Sequence, residues 1–592
     1  RYDLTRTFAQ GSRELTKEEQ KRAVSIWDLS TGNLVRTFPT DHPVGKIQNI
    51  KFSRDGNFIF TDSNNEENIC QWDLNGNLIK TFKGRIRDVS KSGKYIISFI
   101  KTPSSWSTVI YDIITSTPIC SVPSSGKSYL SNDDSILYIN TGACIQAWDV
   151  KTSSLLFSYY INGEDDWVAV SPKGYFDGTK EGIKLLHYTK DLEIITIEST
   201  FEEFYTPNLI NIILSGGEIK SSFQLSKLQS AASVKIISPQ NNFSSSDESI
   251  VLQIEVKDNG GGIDEIALYQ NGKLIENTSR GFKSIQTTEG KFNHSFIVHL
   301  SDGINILKAV AFNNQRTESL PDEIKVSYKA TKSTKPSMFI FAIGINEYLN
   351  PRYKLNYATN DAKAFASALK EGASLIFENI YLTTLFNEQT SKASILSSLE
   401  DIKLKIKPED VFIFYFAGHG VMSSGNTNET PEFYLLPYDI TKMFDADEML
   451  KLKSISAKEI GEFSKNISSQ KQLFVLDACQ SGGAVQSFAM RGAAEEKAIA
   501  QLSRSTGTYF IAASGTEQFA SEVATLGHGI FTYSLIEAIK GACKSQDGRL
   551  TVNLLKGCVE DMVPELSKKY KGSPQFPTGY GYGQDFPIVI IK

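Results

Sequence analysis

The sequence predicts a multidomain chain: a repeat of short strands, then an all-β sandwich, then a C-terminal α/β domain with a mostly parallel sheet and helices on both faces. Three observations predict it. Aromatic-Asp pairs recur at Trp27, Trp72, Tyr111 and Trp148, at intervals of 45, 39 and 37 residues. Short alternating strands fill residues 231–330, and beyond a polar linker at 331–336 apolar runs alternate with helical patterns to the end. At 592 residues the chain exceeds what one core can hold, since single cores stop growing at roughly 250–300 residues.

Charge and cysteine usage narrow the function classes. Lys plus Arg number 62 against 67 Asp plus Glu, so no basic field draws the chain to nucleic acid. The longest apolar runs, such as MFIFAIGI from Met338, are far below the roughly 20 residues that cross a bilayer, so no membrane partner is expected. Six cysteines stand without paired short spacings, which predicts neither a disulfide framework nor a zinc site. A reducing, cytoplasmic compartment follows from that usage. The first residue is Arg1 and not Met, so a native start, with a leader or a further domain, is expected to precede it.

Taken in order, residues 1–180 carry SIWDLSTGNLVRTF, CQWDLNGNLIKTF, VIYDIITSTPICSV and IQAWDVKTSSLLFSY, with FSRDGNFIFT and VSKSGKYIIS between them. Period and signature resemble WD-repeat propeller blades of four strands each, here an incomplete set, and the resemblance implies a platform for a regulatory protein partner. Residues 181–230 contain EEFYTPNLINIILSG, whose amphipathic pattern predicts a connecting helix. Residues 231–330 hold seven strand-like runs, two of them joined at Asn271-Gly272, a type I′ hairpin signal. Strand count and length suggest an immunoglobulin-like sandwich. His294 and His299 are read there as ordinary strand histidines.

In residues 337–592, strands are expected at Met338–Ile345, Ile380–Leu385, Val411–Phe416, Gln472–Leu476 and Thr508–Ala512. Helices are expected at Asn360–Lys370, Ser391–Lys405, Ala457–Asn466 and Ile530–Lys540. Working residues of such sheets lie beyond the carboxyl ends of strands. VFIFYFAGHG delivers His419 into what reads as a glycine turn, and QLFVLDACQSGG delivers Asp477 and Cys479. A buried strand has no evident need of Gly418 and Gly420, whereas backbone N–H groups approaching a reacting carbonyl do need such small residues.

These two motifs, with FIFAIGIN, ATNDAKAF and GHGIFTYSLIEAIKG around them, resemble the caspase and metacaspase superfamily of cysteine peptidases. The order of WD repeats, sandwich and peptidase also resembles the bacterial multidomain caspase-like proteins. The resemblance implies Cys479 as nucleophile and His419 as general acid and base, with the N–H groups of Gly420 and Cys479 as oxyanion hole. It further implies that Asp361 and Asp477 line the primary substrate pocket. Two carboxylates suit a guanidinium or an ammonium, which favours cleavage of protein substrates after Arg or Lys; the competing role for Asp361 is a cap on a helix beginning at Ala362.

Gln480 and Ala417 depart from the family pattern without removing a catalytic atom. Asp445, Asp447 and Glu448 cluster as a calcium set would, but Gln486 stands at an acidic position of the family, so no metal or other cofactor is expected. Residues 484–507 read as a polar, mobile intersubunit loop with Arg491, Lys497 and Arg504 as self-cleavage points. His528, in a second Gly-His-Gly, is assigned to a helix start, and Cys543 and Cys558 to structural roles. Two rival readings remain: a catalytically silent caspase-like scaffold, and a latent protease acting as a stress or anti-phage effector.

Overall fold

The computed structural model describes residues 2–28 except 6–22, 30–39, 47–63, 68–103, 105–190, 193–217, 219, 224–278, 290–330, 335–423, 431–444, 446–479, 488–513, 522–543 and 547–591. The chain divides into two units, Arg1–Leu185 and Leu186–Lys592.

In the first unit each aromatic-Asp pair closes a strand of an antiparallel meander. Four such sheets follow one another, two of them of four strands, Ile47–Phe52 to Leu78–Lys83 and Arg85–Val89 to Pro118–Val122. The aspartates explain the spacing of the repeat. Asp73 accepts from the N–H groups of Asn75 and Asn77, both at 2.8 Å, Asp112 from Ile114 and Thr115, and Asp149 from Thr152 at 2.6 Å. A carboxylate that gathers the amides of its own turn fixes where the next strand begins.

The second unit opens with the connector. The expected single helix is corrected to short pieces, a 3₁₀ turn at Ile197–Thr200 and helices at Phe201–Phe204 and Leu209–Leu214. Pro207 pushes the residue before it out of the helical region, and Asn208 sits at φ 61°. The sandwich contains the seven expected runs plus Phe243–Ser245, arranged as sheets of three and five strands. At its hairpin tip Asn271 and Gly272 both take positive φ, 54° and 88°, as a type I′ turn requires.

The C-terminal domain is a sheet of mixed direction. Its elements are β1 (Met338–Gly344), α1 (Ala358–Ala373), β2 (Ile380–Phe386), α2 (Lys392–Lys403), β3 (Val411–Met422) and β4 (Phe433–Leu435). There follow α3 (Ala457–Asn466), β5 (Lys471–Cys479), α4 (Phe488–Thr506), β6 (Tyr509–Ala512), α5 (Ile530–Glu537), α6 (Val552–Lys571) and β7 (Thr578–Gly581). The spatial order is β2-β1-β3-β5-β6-β7, parallel except for β7, with β4 pairing the far end of β3. Alternation along β3 feeds two cores. Val411, Ile413, Tyr415 and Ala417 meet α1, α5 and α6, while Phe412, Phe414 and Phe416 meet α2, α3 and α4.

Three further expectations need correction. Gly418-His419-Gly420 is not a turn: β3 runs through it to Met422, antiparallel to β4. The glycines answer to packing, because a Cβ on Gly418 would stand 2.8 Å from the Tyr348 hydroxyl and one on Gly420 2.8 Å from the Phe433 ring. The expected mobile loop is, from Phe488, the helix α4; Ala, Glu and Lys dominate its middle, and such residues lose little rotamer freedom in a helix. Finally, Cys543 and Cys558 form a disulfide with Cα atoms 6.1 Å apart, so cysteine usage no longer argues for a reducing compartment. Among the described residues no helix is long and apolar enough to cross a membrane.

Candidate active site

The site begins where β5 ends at Cys479 beside β3, which runs on to Met422. Their parallel register pairs Ala417 with Asp477, Gly418 with Ala478 and His419 with Cys479, and neighbouring strands lie about 4.8 Å apart. The side chain of Cys479 lies outside the described residues, as do Gln480, Asp445 and Gln486.

His419 is buried and doubly held. Its Nε2 is 2.8 Å from the carbonyl of Tyr353, which can only accept, so Nε2 carries the proton and Nδ1 is left as the basic nitrogen. Its backbone N–H donates to the Tyr348 hydroxyl at 2.8 Å, and that hydroxyl donates onward to the Leu436 carbonyl at 3.4 Å. Leu436 N–H in turn donates to the His419 carbonyl at 2.9 Å. Tyr348 thus stands inside the β3–β4 ladder, replacing one direct bond by two through its oxygen. Burial pushes its phenol well above the ordinary range, so it remains a donor.

The direction of Gly420 follows from alternation. Ala417 accepts from Ile345 at 3.0 Å on the β1 side, and His419 accepts from Leu436 on that same side. Residues 417 and 419 therefore face one edge, and the intervening positions, Gly420 after them, turn N–H toward the β5 edge that Cys479 closes.

Behind the strand ends two carboxylates meet. Asp361 lies in the first turn of α1, which starts at Ala358 and not at Ala362, so the capping alternative fails: its carboxylate leaves its own helix. Oδ1 is 2.6 Å from Nδ1 of His528, and Oδ2 accepts the Gly529 N–H at 3.1 Å. Asp477 Oδ2 accepts the Thr532 hydroxyl at 2.6 Å and lies 3.5 Å from the Tyr415 hydroxyl. Both carboxylates thus face the N-terminal end of α5, whose aligned peptide dipoles favour negative charge. A Cβ on Gly529 would lie 3.3 Å from Asp361 Oδ2 and 3.5 Å from Asp477 Oδ2, so the two oxygens converge on a residue without a side chain. Burial first, then Asp477 and Asp361, hold the Tyr415 phenol far above its usual range.

The comparisons with known proteins bear on this region. The family model described as Caspase domain matches residues 339–578. The C-terminal domain is caspase-like. A second family model, described as Bacterial Ig domain, matches residues 233–309, within the sandwich that precedes this caspase-like domain. The chain is 31% identical over 107 residues to Metacaspase-1A of Aspergillus oryzae, which is 17% of this chain and 25% of that protein, so it spans about a quarter of that relative's length. Solved structures with partial likeness include protein GSU0716 of Geobacter sulfurreducens, 17% identical over 42% of this chain and 94% of that one, with a TM-score of 0.30. The Clostridium thermocellum CbhA fibronectin(III)-like modules are 17% identical over 17% of this chain and 100% of theirs, with a TM-score of 0.14. At such TM-scores neither structure supports any part of the functional reading.

Of the residues expected from sequence, the described atoms bring Asp361 and Asp477 together, and the backbone register brings His419 and Cys479 together. Lys497 and Arg504 stand apart from them, inside α4, with their ends engaged: Lys497 donates to the Glu203 carbonyl at 3.0 Å and Arg504 pairs with Glu198 and Glu318. Arg491 lies on the first turn of the same helix, its side chain outside the described residues. Asp447 and Glu448 open a short helix, and among the described residues no three His, Cys, Asp or Glu side chains group to hold a metal. Sequence reasoning missed Tyr348, Tyr353, Tyr415 and Thr532. Only Tyr415 carried a signal, a phenol in an otherwise apolar strand.

Proposed function

We propose that this chain is a cysteine endopeptidase that cleaves protein substrates after Arg or Lys through a Cys479–His419 dyad, under the control of its N-terminal regions. The observation that carries the reading is the in-register pairing of residues 419 and 479 on two neighbouring parallel strands of a caspase-like domain. Residues in register on neighbouring strands share a face of the sheet, so the reading sets imidazole and thiol against one peptide bond. The Tyr353 carbonyl orients the imidazole, which makes a third carboxylate unnecessary. His419 takes the thiol proton, the thiolate attacks the carbonyl carbon, and the imidazolium returns the proton to the leaving amine. The N–H groups of Gly420 and Cys479 receive the oxyanion, and each such donor typically contributes roughly 2.7–4 kcal/mol to the transition state.

The preference for Arg or Lys is supported by the two carboxylates that converge over Gly529. In this reading the meander sheets of residues 1–180 are propeller blades that present a surface to a regulatory protein. Self-cleavage at Lys497 or Arg504 requires α4 to unwind locally, since a peptidase takes its substrate extended, whereas Arg491 sits at the helix start where fraying is easiest.

The test is hydrolysis of fluorogenic peptides ending in Arg, Lys, Asp or Leu by the full chain and by Cys479→Ala, with and without calcium. Cleavage of the Arg and Lys peptides that vanishes in Cys479→Ala is expected. Equal cutting by both proteins refutes the nucleophile, and a preference for Asp refutes the pocket while sparing the dyad.

A further inference from the structure

His528 was assigned above to a helix start, yet its imidazole does not cap α5: the N-cap is Gly529, with no side-chain cap bond. The ring is spent instead on Asp361. A carboxylate oxygen only accepts, so at 2.6 Å Nδ1 is the donor. The Gly529 N–H holds the other oxygen of the same carboxylate, and Thr532 holds Asp477. Three contacts from residues 528, 529 and 532 therefore fix how the two carboxylates are presented.

Exposure orders the pair. The His528 side chain is 24% exposed and that of Asp361 only 5%, so solvent, and anything arriving from it, reaches the imidazole first. The gap over Gly529 lies between the two Oδ2 atoms, one of which belongs to the carboxylate that His528 grips by Oδ1. Rotation of Asp361 about its side-chain bonds would carry Oδ2 out of that gap, and the charge-assisted bond to His528 opposes this rotation.

We propose that His528 is a specificity-determining positioning residue: it holds Asp361 so that the guanidinium or ammonium of a substrate Arg or Lys is received between Asp361 and Asp477. The inference rests on the peptidase reading above and goes beyond it by naming the residue that sets its selectivity. His528 touches neither the scissile bond nor, in this role, the cation.

The test compares the full chain with His528→Ala and His528→Asn, whose amide can offer an N–H near the place of Nδ1. The readout is the ratio of kcat/KM for an Arg peptide to that for a Leu peptide. The ratio is expected to fall about tenfold in His528→Ala, the loss expected of one hydrogen bond to a charged group, mostly through KM, and to recover in His528→Asn. An unchanged ratio, or failure of the asparagine to restore it, overturns the inference while leaving the dyad standing. Should the full chain and Cys479→Ala cut equally, the reading itself has failed. Calorimetric titration of Cys479→Ala with argininamide then decides: saturable binding weakened by His528→Ala and restored by His528→Asn supports the role, and no binding, or binding indifferent to residue 528, refutes it.

Discussion

Gly529 shows how much a missing side chain can specify. Its φ of −65° is open to any residue, and among the described residues a methyl there would meet the two carboxylate oxygens. Gly529→Ala is therefore expected to fold normally and to lose cleavage of Arg and Lys peptides by about tenfold, or roughly 1.4 kcal/mol in the barrier, while Leu peptides are affected less; steady-state kinetics on the three peptides checks it. The residues that a motif can carry were legible in the sequence. His419, Cys479 and Asp477 stand in short signatures with glycine around them, and Asp361 stands in ATNDAKAF. Tyr348 and Tyr353 were not legible, because one acts through a hydroxyl inserted into a ladder and the other through a backbone carbonyl, and neither contribution depends on a local pattern. Gly418 and Gly420 were legible as special but for the wrong reason, since a glycine demanded by the neighbouring Tyr348 or Phe433 looks in sequence like a glycine demanded by a turn.

At the scale of elements, α4 joins what the sequence kept separate. Arg504 pairs with Glu198 of the connector at 2.9 Å and Glu318 of the sandwich at 2.7 Å, its guanidinium also lying over the rings of Phe201 and Tyr582. Arg316 answers from the sandwich, binding Glu202, Asp264 and Glu265 at 2.8–2.9 Å. Removing one member of a buried ionic group leaves its partners desolvated and unpaired, which costs about 3–5 kcal/mol. Arg504→Ala should lower the stability of the second unit by that order in urea denaturation, and an unchanged midpoint would show the pairs to be ornamental. Periodicity located α3 from Ala457 to Asn466, as found, because its apolar face and Ser456 cap are local. It missed α4, whose composition is polar because its outward groups are spent on the connector and the sandwich and not on solvent. It also ran two helices of the connector together across Pro207.

For the whole molecule, two buried groups give stability opposite slopes with pH. Burial, and then Glu496, push the Glu495 carboxyl up to about 8, against an ordinary 4.5. The folded state keeps a proton that the unfolded chain has released, so this contribution is full below pH 4.5 and is lost as pH rises to about 8. Glu495→Gln should abolish that fall, seen as a flatter melting temperature between pH 5 and 8. Lys273 is the reverse case. Burial lowers its ammonium from 10.5 to about 7, so the unfolded chain binds the extra proton and stability rises with pH between those values. Lys273→Met should remove the rise, measured by thermal melts from pH 7 to 10.

The position of Lys273 carries a larger consequence. It belongs to the sandwich, yet its ammonium donates to the Ile467 carbonyl just past the end of α3. Beside it Asn271 reaches Gln470 at 2.9 Å, and bare backbone meets bare backbone where Gly272 lies against Gly507 and Gly583. The border that a family profile draws at residue 339 is thus not a physical border. A fragment cut there would keep the fitting and lose the plug: a helix end without its donor and a glycine-floored socket made for another domain's fingertip, opened to water.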